Sequence, residues 1–126
     1  MHHSRLAGFI IDCKTDDLDS AAEFWSAALG YPLQPKSSQE GDAYRRLQTG
    51  EDELHVEVQQ VDHESRVHLD IESDDIEAEV ARLETLGAKR IAKVHTWVVM
   101  QAPTGQKFCI VRPQRAGIEQ EENRRE

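Results

Sequence analysis

The chain repeats itself, and that repeat restricts the folds open to it. IDCKTDDLD begins at Ile11 and LDIESDDIE begins at Leu69, with apolar and acidic positions in the same order. A pattern recurring once in each half points to two copies of one supersecondary unit. Each copy runs into a helix. Ala21, Phe24, Trp25, Ala28 and Leu29 in the first, and Ile76, Val80, Leu83 and Leu86 in the second, have the spacing of one apolar helix face. Asp16 and Asp74, with Asp19 and Glu77 three residues on, are placed to accept from the first free helix amides. Gly30 and Gly87 suit the left-handed position beyond a helix end.

Strand-like runs surround each helix. GFIIDCK precedes the first and YPLQP, AYRRLQT and ELHVEVQQ follow it; RVHLDIE precedes the second, and KRIAKV, TWVVMQA and KFCIVRP follow. Gly41, Gly50 and Pro103-Thr104-Gly105 interrupt these runs where turns are needed. The expected fold class is therefore α+β, a pair of βαβββ modules over about residues 8–60 and 66–113 within one domain spanning residues 1–113. After Pro113, QRAGIEQEENRRE has little apolar surface to offset ordering entropy, so residues 114–126 read as a charged flexible tail.

Charge narrows the partners. With 24 acidic against 15 basic residues the formal charge is -9, which repels phosphate backbones and anionic lipid, so neither nucleic acid nor membrane is expected. No apolar run approaches the roughly 20 residues that cross a bilayer, and MHHSRLAG lacks the apolar core of a signal peptide; a cytoplasmic protein is expected. Cys13 and Cys109 lack metal-type spacing and read as free thiols. Gly-rich phosphate loops, GxSxG elbows and HExxH helices are all missing from the sequence.

The order of IDC before DDLDSAAEFWSAALG, then RVHLDI, then WVVMQAPTGQKFCIV resembles the vicinal-oxygen-chelate superfamily, which includes glyoxalases, dioxygenases and bleomycin-resistance proteins. That resemblance covers roughly residues 8 to 113 and implies two curved half-barrel sheets with helices outside, a small-molecule pocket and a homodimer. Metal-dependent members place ligands on the first and last strands of both modules. Here His68 falls on one such position and Glu57 is the best match for another, but Ile10 stands at the third and Cys109 at or near the fourth. No cofactor is therefore expected; a divalent metal, were one used, would engage His68 and Glu57.

Alternation along the strands gathers Ile10, Asp12, His55, Glu57, Gln59, His68, Asp70, Cys109 and Val111 onto the pocket face. His68 and Asp70, two residues apart, form a candidate catalytic acid–base pair. Asp12 and Asp70 are equivalent in the repeat, and a structural role accepting from backbone amides, Arg66 or Arg46 competes with a chemical one. Asp12, Lys14, His55, Glu57, Gln59, Trp97 and Cys109 are the candidate ligand-binding residues, with Tyr44 beside Trp97 as a further aromatic at a pocket mouth. Each has a plainer reading: His55 as the wet side of a strand, Lys14 as a solvated strand end, Cys109 as a small buried hydrophobe. Three functions stay open: a small-molecule protein with acid–base chemistry and a degenerate metal site, a metal-dependent lyase, isomerase or dioxygenase, and a non-catalytic ligand-sequestering protein.

Overall fold

The computed structural model describes residues 1–36 and 43–126, so Gly41, expected at a turn, lies outside the described residues. The chain forms two compact units, residues 9–67 and residues 1–8 with 68–126; strand β1 (His2–Lys14) contributes residues to both. Two α-helices and eight strands among the described residues make up an α+β protein.

In residues 9–67, β1 is followed by α1 (Leu18–Leu29), β2 (Tyr44–Leu47) and β3 (His55–Val61), in the strand order β2-β3-β1. β2 and β3 are antiparallel, with Tyr44 opposite Gln59 and Arg46 opposite Glu57. YPLQP forms a fragment of a strand: Leu33 bridges Leu47, and the Gln34 N–H donates to the Arg46 carbonyl at 2.9 Å. Pro32 and Pro35 have no N–H to extend that ladder. Leu18 and Ala22 bury against Val58, joined by Ala21, Trp25, Cys13 and Leu33. The buried stripe is thus 18, 21, 22 and 25, and it leaves Phe24 61% and Leu29 45% exposed, correcting their expected place on the core face. Phe24 instead meets Trp25 edge-on with ring centroids 5.1 Å apart.

The second unit contains β4 (Arg66–Ser73) from His68 onward, α2 (Ile76–Thr85), β5 (Lys89–Val94), β6 (Trp97–Gln101) and β7 (Lys107–Val111), in the order β4-β7-β6-β5. β4 and β7 run parallel with Asp70 opposite Cys109, while β6 is antiparallel to both β5 and β7. First strand beside last, with a helix between them in sequence, repeats the arrangement of the other unit. Val80 and Leu83 of α2 pack on Val98, Met100 and Ile110, with Ile71, Ile76 and Phe108 against them. Leu86 lies past the helix and is 64% exposed, so it too falls outside the core expected of it.

Both helices start one residue later than the sequence suggests. Asp17 accepts from the Ser20 N–H at 3.2 Å and Asp75 accepts from the Ala78 N–H at 3.0 Å. The sequence offers consecutive aspartates at each start, and the second of each pair takes the cap. Asp74 turns to His3, accepting from its backbone N–H and meeting its Nδ1, each at 2.7 Å. Gly30 and Gly87 have φ of 79° and 104°, as the helix ends require. At Gly87 a Cβ would also stand 3.1 Å from Pro103 Cγ.

Residues 114–126, read from composition as a flexible tail, carry a 3₁₀ turn at Glu121–Asn123 and strand β8 (Arg124–Arg125), which pairs with His2 and His3. Ile118 and Asn123 are buried. Glu72, fully buried, accepts from Arg5 Nε at 3.0 Å and lies 3.7 Å from Arg115 Nε, while Arg5 also donates to the Ala116 carbonyl at 2.7 Å. Sparse apolar residues are here supplemented by charge-assisted bonds, which composition alone does not reveal. Among the described residues no helix is long and apolar enough to cross a membrane.

Glu79 of α2 is a second buried carboxylate. Burial disfavours its charge, but hydrogen bonds from Arg82, His2 and Ser4 outweigh that cost and hold its pKa at about 2. Because the folded value is depressed, the stabilisation is present above the unfolded carboxyl pKa and is lost as pH falls from about 4.5 towards 2. We expect Glu79→Gln to cost on the order of 3 kcal/mol at neutral pH and to flatten the loss of melting temperature across that acid window. Thermal melts of both proteins between pH 6 and pH 2.5 check this; parallel curves would contradict it.

Candidate functional site

Strand alternation gives the strands of each unit a helix-packed face and an opposite face, and the chemistry-bearing residues fall on the second. In residues 9–67, Cys13 and Val58 pack towards α1. Asp12, Glu57 and Gln59 alternate with them and take the other side, and Tyr44 and Arg46 join that side through their register with Gln59 and Glu57. Gln59 Nε2 donates to the Tyr44 hydroxyl at 3.0 Å. Arg46 donates to Glu57 Oε1 from Nε at 2.9 Å, and its Nη2 reaches the same oxygen. Asp12 is buried with Arg66 Nε 3.5 Å away, the structural partnership that competed with a chemical role. His55 is buried as well. Lys14 is mostly exposed, 3.7 Å from Glu64, and its backbone N–H donates to Ser65 Oγ.

In the second unit Ile71 and Ile110 pack towards α2, so His68, Asp70 and Cys109 stand on the opposite face. His68 Nε2 lies 3.5 Å from Asp70 Oδ1, with side chains 12% and 11% exposed. One donor atom each from His68, Asp70 and Cys109 lie within 4.8 Å of one another. This cluster is a product of register: the parallel pairing of β4 and β7 sets Cys109 beside Asp70, while alternation along β4 puts His68 on the same side. Trp97 alternates with buried Val98 and so shares the face of Val99, the neighbour of Cys109. Its ring lies 5.6 Å from that of His95, whose φ of 49° turns the hairpin between β5 and β6.

The metal question can be tested on these donors. Ile10 carries no ligand atom, and the Oε1 of Glu57 is held by Arg46. His68, Asp70 and Cys109 supply an imidazole, a carboxylate and a thiol in one cluster, donor types that suit zinc and softer divalent ions. The sequence pairs His68 with Asp70 and puts Cys109 on the same face, but only the strand register sets Cys109 against that pair. Arg46 entered only as a partner for an aspartate; its pairing with Glu57 again depends on register.

Two modules of this order, each with its helix on one sheet face and polar residues on the other, define a protein of glyoxalase-like architecture. The chain belongs to the glyoxalase-like domain family, whose model matches residues 8–111, and hence to the vicinal-oxygen-chelate superfamily. Among solved structures it is similar to methylmalonyl-CoA epimerase from Mycobacterium tuberculosis, at 17% identity and a TM-score of 0.61, covering 86% of this chain and 87% of that one. A hypothetical protein from Bacillus halodurans aligns at 16% identity and TM-score 0.60 over 90% of this chain and 99% of its own. A glyoxalase/bleomycin resistance protein/dioxygenase superfamily member from Vibrio splendidus gives 16% identity and TM-score 0.53 over 90% and 100% of the two chains. At such identities the likeness is one of fold. No curated protein matches the sequence.

The two faces make an ordered stability prediction. His68→Ala should cost less than about 1.5 kcal/mol, since the imidazole is only partly buried and stands off the helix-packed core. Glu57→Ala should cost more, about 1–3 kcal/mol, because it leaves the partly buried Arg46 guanidinium without its carboxylate. Urea denaturation of the two variants checks the order, and a larger loss for His68→Ala would make His68 a core residue.

Proposed function

We propose that the protein binds a small carbonyl compound on the open sheet face and moves a proton on it with His68, positioned by Asp70. The observation that carries this reading is the 3.5 Å approach of Nε2 of half-buried His68 to Oδ1 of buried Asp70, both on strand β4. Asp70 beside the imidazole orients it and stabilises the imidazolium that forms when the ring takes a proton from ligand. A proton next to a carbonyl is a fitting target, and the epimerase of similar fold supports that substrate class. Trp97, of the same unit as His68, is proposed to contribute to ligand binding there, and Asp12, Lys14, His55, Glu57 and Gln59 are proposed to do so on the face of their own unit. Homodimers are proposed from the family, and the free Cys13 and Cys109 fit a reducing compartment such as the cytoplasm.

The cluster of three donors favours a second reading, a metal-dependent lyase, isomerase or dioxygenase in which His68, Asp70 and Cys109 hold the ion. A divalent ion there would supply Lewis acidity towards a ligand oxygen. Metal analysis of protein purified without chelator separates the two: a stoichiometric ion that survives dialysis favours the metal reading. The acid–base reading is tested by incorporation of deuterium from D2O into a carbonyl panel that includes methylmalonyl-CoA. Wild type should exchange the α-proton, and His68→Gln should slow exchange by about 10²-fold or more. Equal rates in both proteins, or ligand binding with no exchange by wild type, would defeat the acid–base reading; the latter result favours sequestration.

A further inference from the structure

We propose that Cys109 is a nucleophilic thiol served by His68 and Asp70, and that it forms a reversible covalent adduct with a small aldehyde. This inference rests on the reading that the His68 face is where ligand binds. Cys109 is only partly buried, stands opposite Asp70 in the parallel register of β7 and β4, and has its reactive atom within 4.8 Å of those of His68 and Asp70. A thiol, an imidazole and a carboxylate that orients the imidazole form the arrangement by which a cysteine is activated. All three side chains come from strands, which hold them more firmly than loops do.

The other thiol supplies the contrast. Cys13 packs among the residues against α1, and burial pushes its thiol pKa up. It has no comparable partners among the described histidines: the group of metal-capable side chains contains Cys109 alone of the two. An inert small hydrophobe, the plain reading of a cysteine in KFCIV, therefore describes Cys13 better than Cys109.

The adduct needs no external reagent. His68 takes the proton from Sγ as the sulfur attacks the carbonyl carbon; a C–S bond forms, the C=O π pair moves to oxygen, and His68 returns the proton to that oxygen. The product is a hemithioacetal, neither oxidised nor reduced relative to its components, and the reverse step expels the aldehyde. Acyl transfer would also require protonation of a leaving group, whereas addition needs only the single proton that the thiol releases. Asp70 acts here as a positioning residue, stabilising the transient imidazolium.

Alkylation by iodoacetamide at pH 7, followed cysteine by cysteine through peptide mass, tests the proposal on the full chain. We expect Cys109 to react at least tenfold faster than Cys13, His68→Gln to slow Cys109 at least tenfold while leaving Cys13 unchanged, and glycolaldehyde to protect Cys109 saturably. Asp70→Asn should move the pH profile of Cys109 alkylation, which a merely structural role would leave in place. Circular dichroism melts confirm that each variant is folded under the assay conditions. Cys109 reacting no faster than Cys13, indifference to His68→Gln, or absence of protection by glycolaldehyde would each overturn the inference. Its failure is distinct from failure of the acid–base reading: α-proton exchange by wild type while these thiol tests fail removes only the covalent step.

Discussion

The structure depends on the commitment, in each unit, of one face of its strands to a helix. Strand alternation leaves no choice once Val58 is against α1, or Ile110 against α2: the residues that alternate with them along their strands must point the other way. In the second unit this separates Ile71 and Ile110, which supply cohesion, from His68, Asp70 and Cys109, which have the means for chemistry. A slip of one residue in β4 would turn Ile71 away from α2 and carry His68 and Asp70 to the helix-packed face, damaging both core and site. Stability and function thus share one physical cause, but they use different side chains.

Charge completes what apolar burial does not. Glu72 and Glu79 are both fully buried, and each is surrounded by donors from distant points in the sequence: Arg5 and Arg115 for the first, His2 and Arg82 for the second. Such carboxylates favour folding only while their partners remain, because a buried charge left alone is costly. Their partners tie residues 2–5 and the segment beyond Pro113 to β4 and α2 within one unit.

Much of this was legible in the sequence, and the limits have definite causes. The internal repeat led to the paired modules, and parity led to the sidedness of His68, Asp70 and Cys109, because both rest on local periodicity. Helix starts were misplaced by one residue where two aspartates competed for the cap. Phe24, Leu29 and Leu86 were misassigned because a loose apolar spacing admits more than one stripe, and only packing on Val58 or Ile110 selects the one at 18, 21, 22 and 25 or its counterpart. Arg46 with Glu57, and Asp70 beside Cys109, required cross-strand register, which no single segment encodes. The order found after Pro113 required knowing that Arg115 meets a buried carboxylate.

The division of labour between faces can be measured directly by comparing the thermal stability of the double variant His68→Ala/Cys109→Ala with that of Ile110→Ala. The account predicts that the double variant keeps a cooperative melt close to wild type, while Ile110→Ala, which opens a cavity among Val80, Val98 and Met100, loses about 2–5 kcal/mol. A double variant as damaged as Ile110→Ala would contradict it, placing His68 and Cys109 in the folding core and leaving the open face without a site.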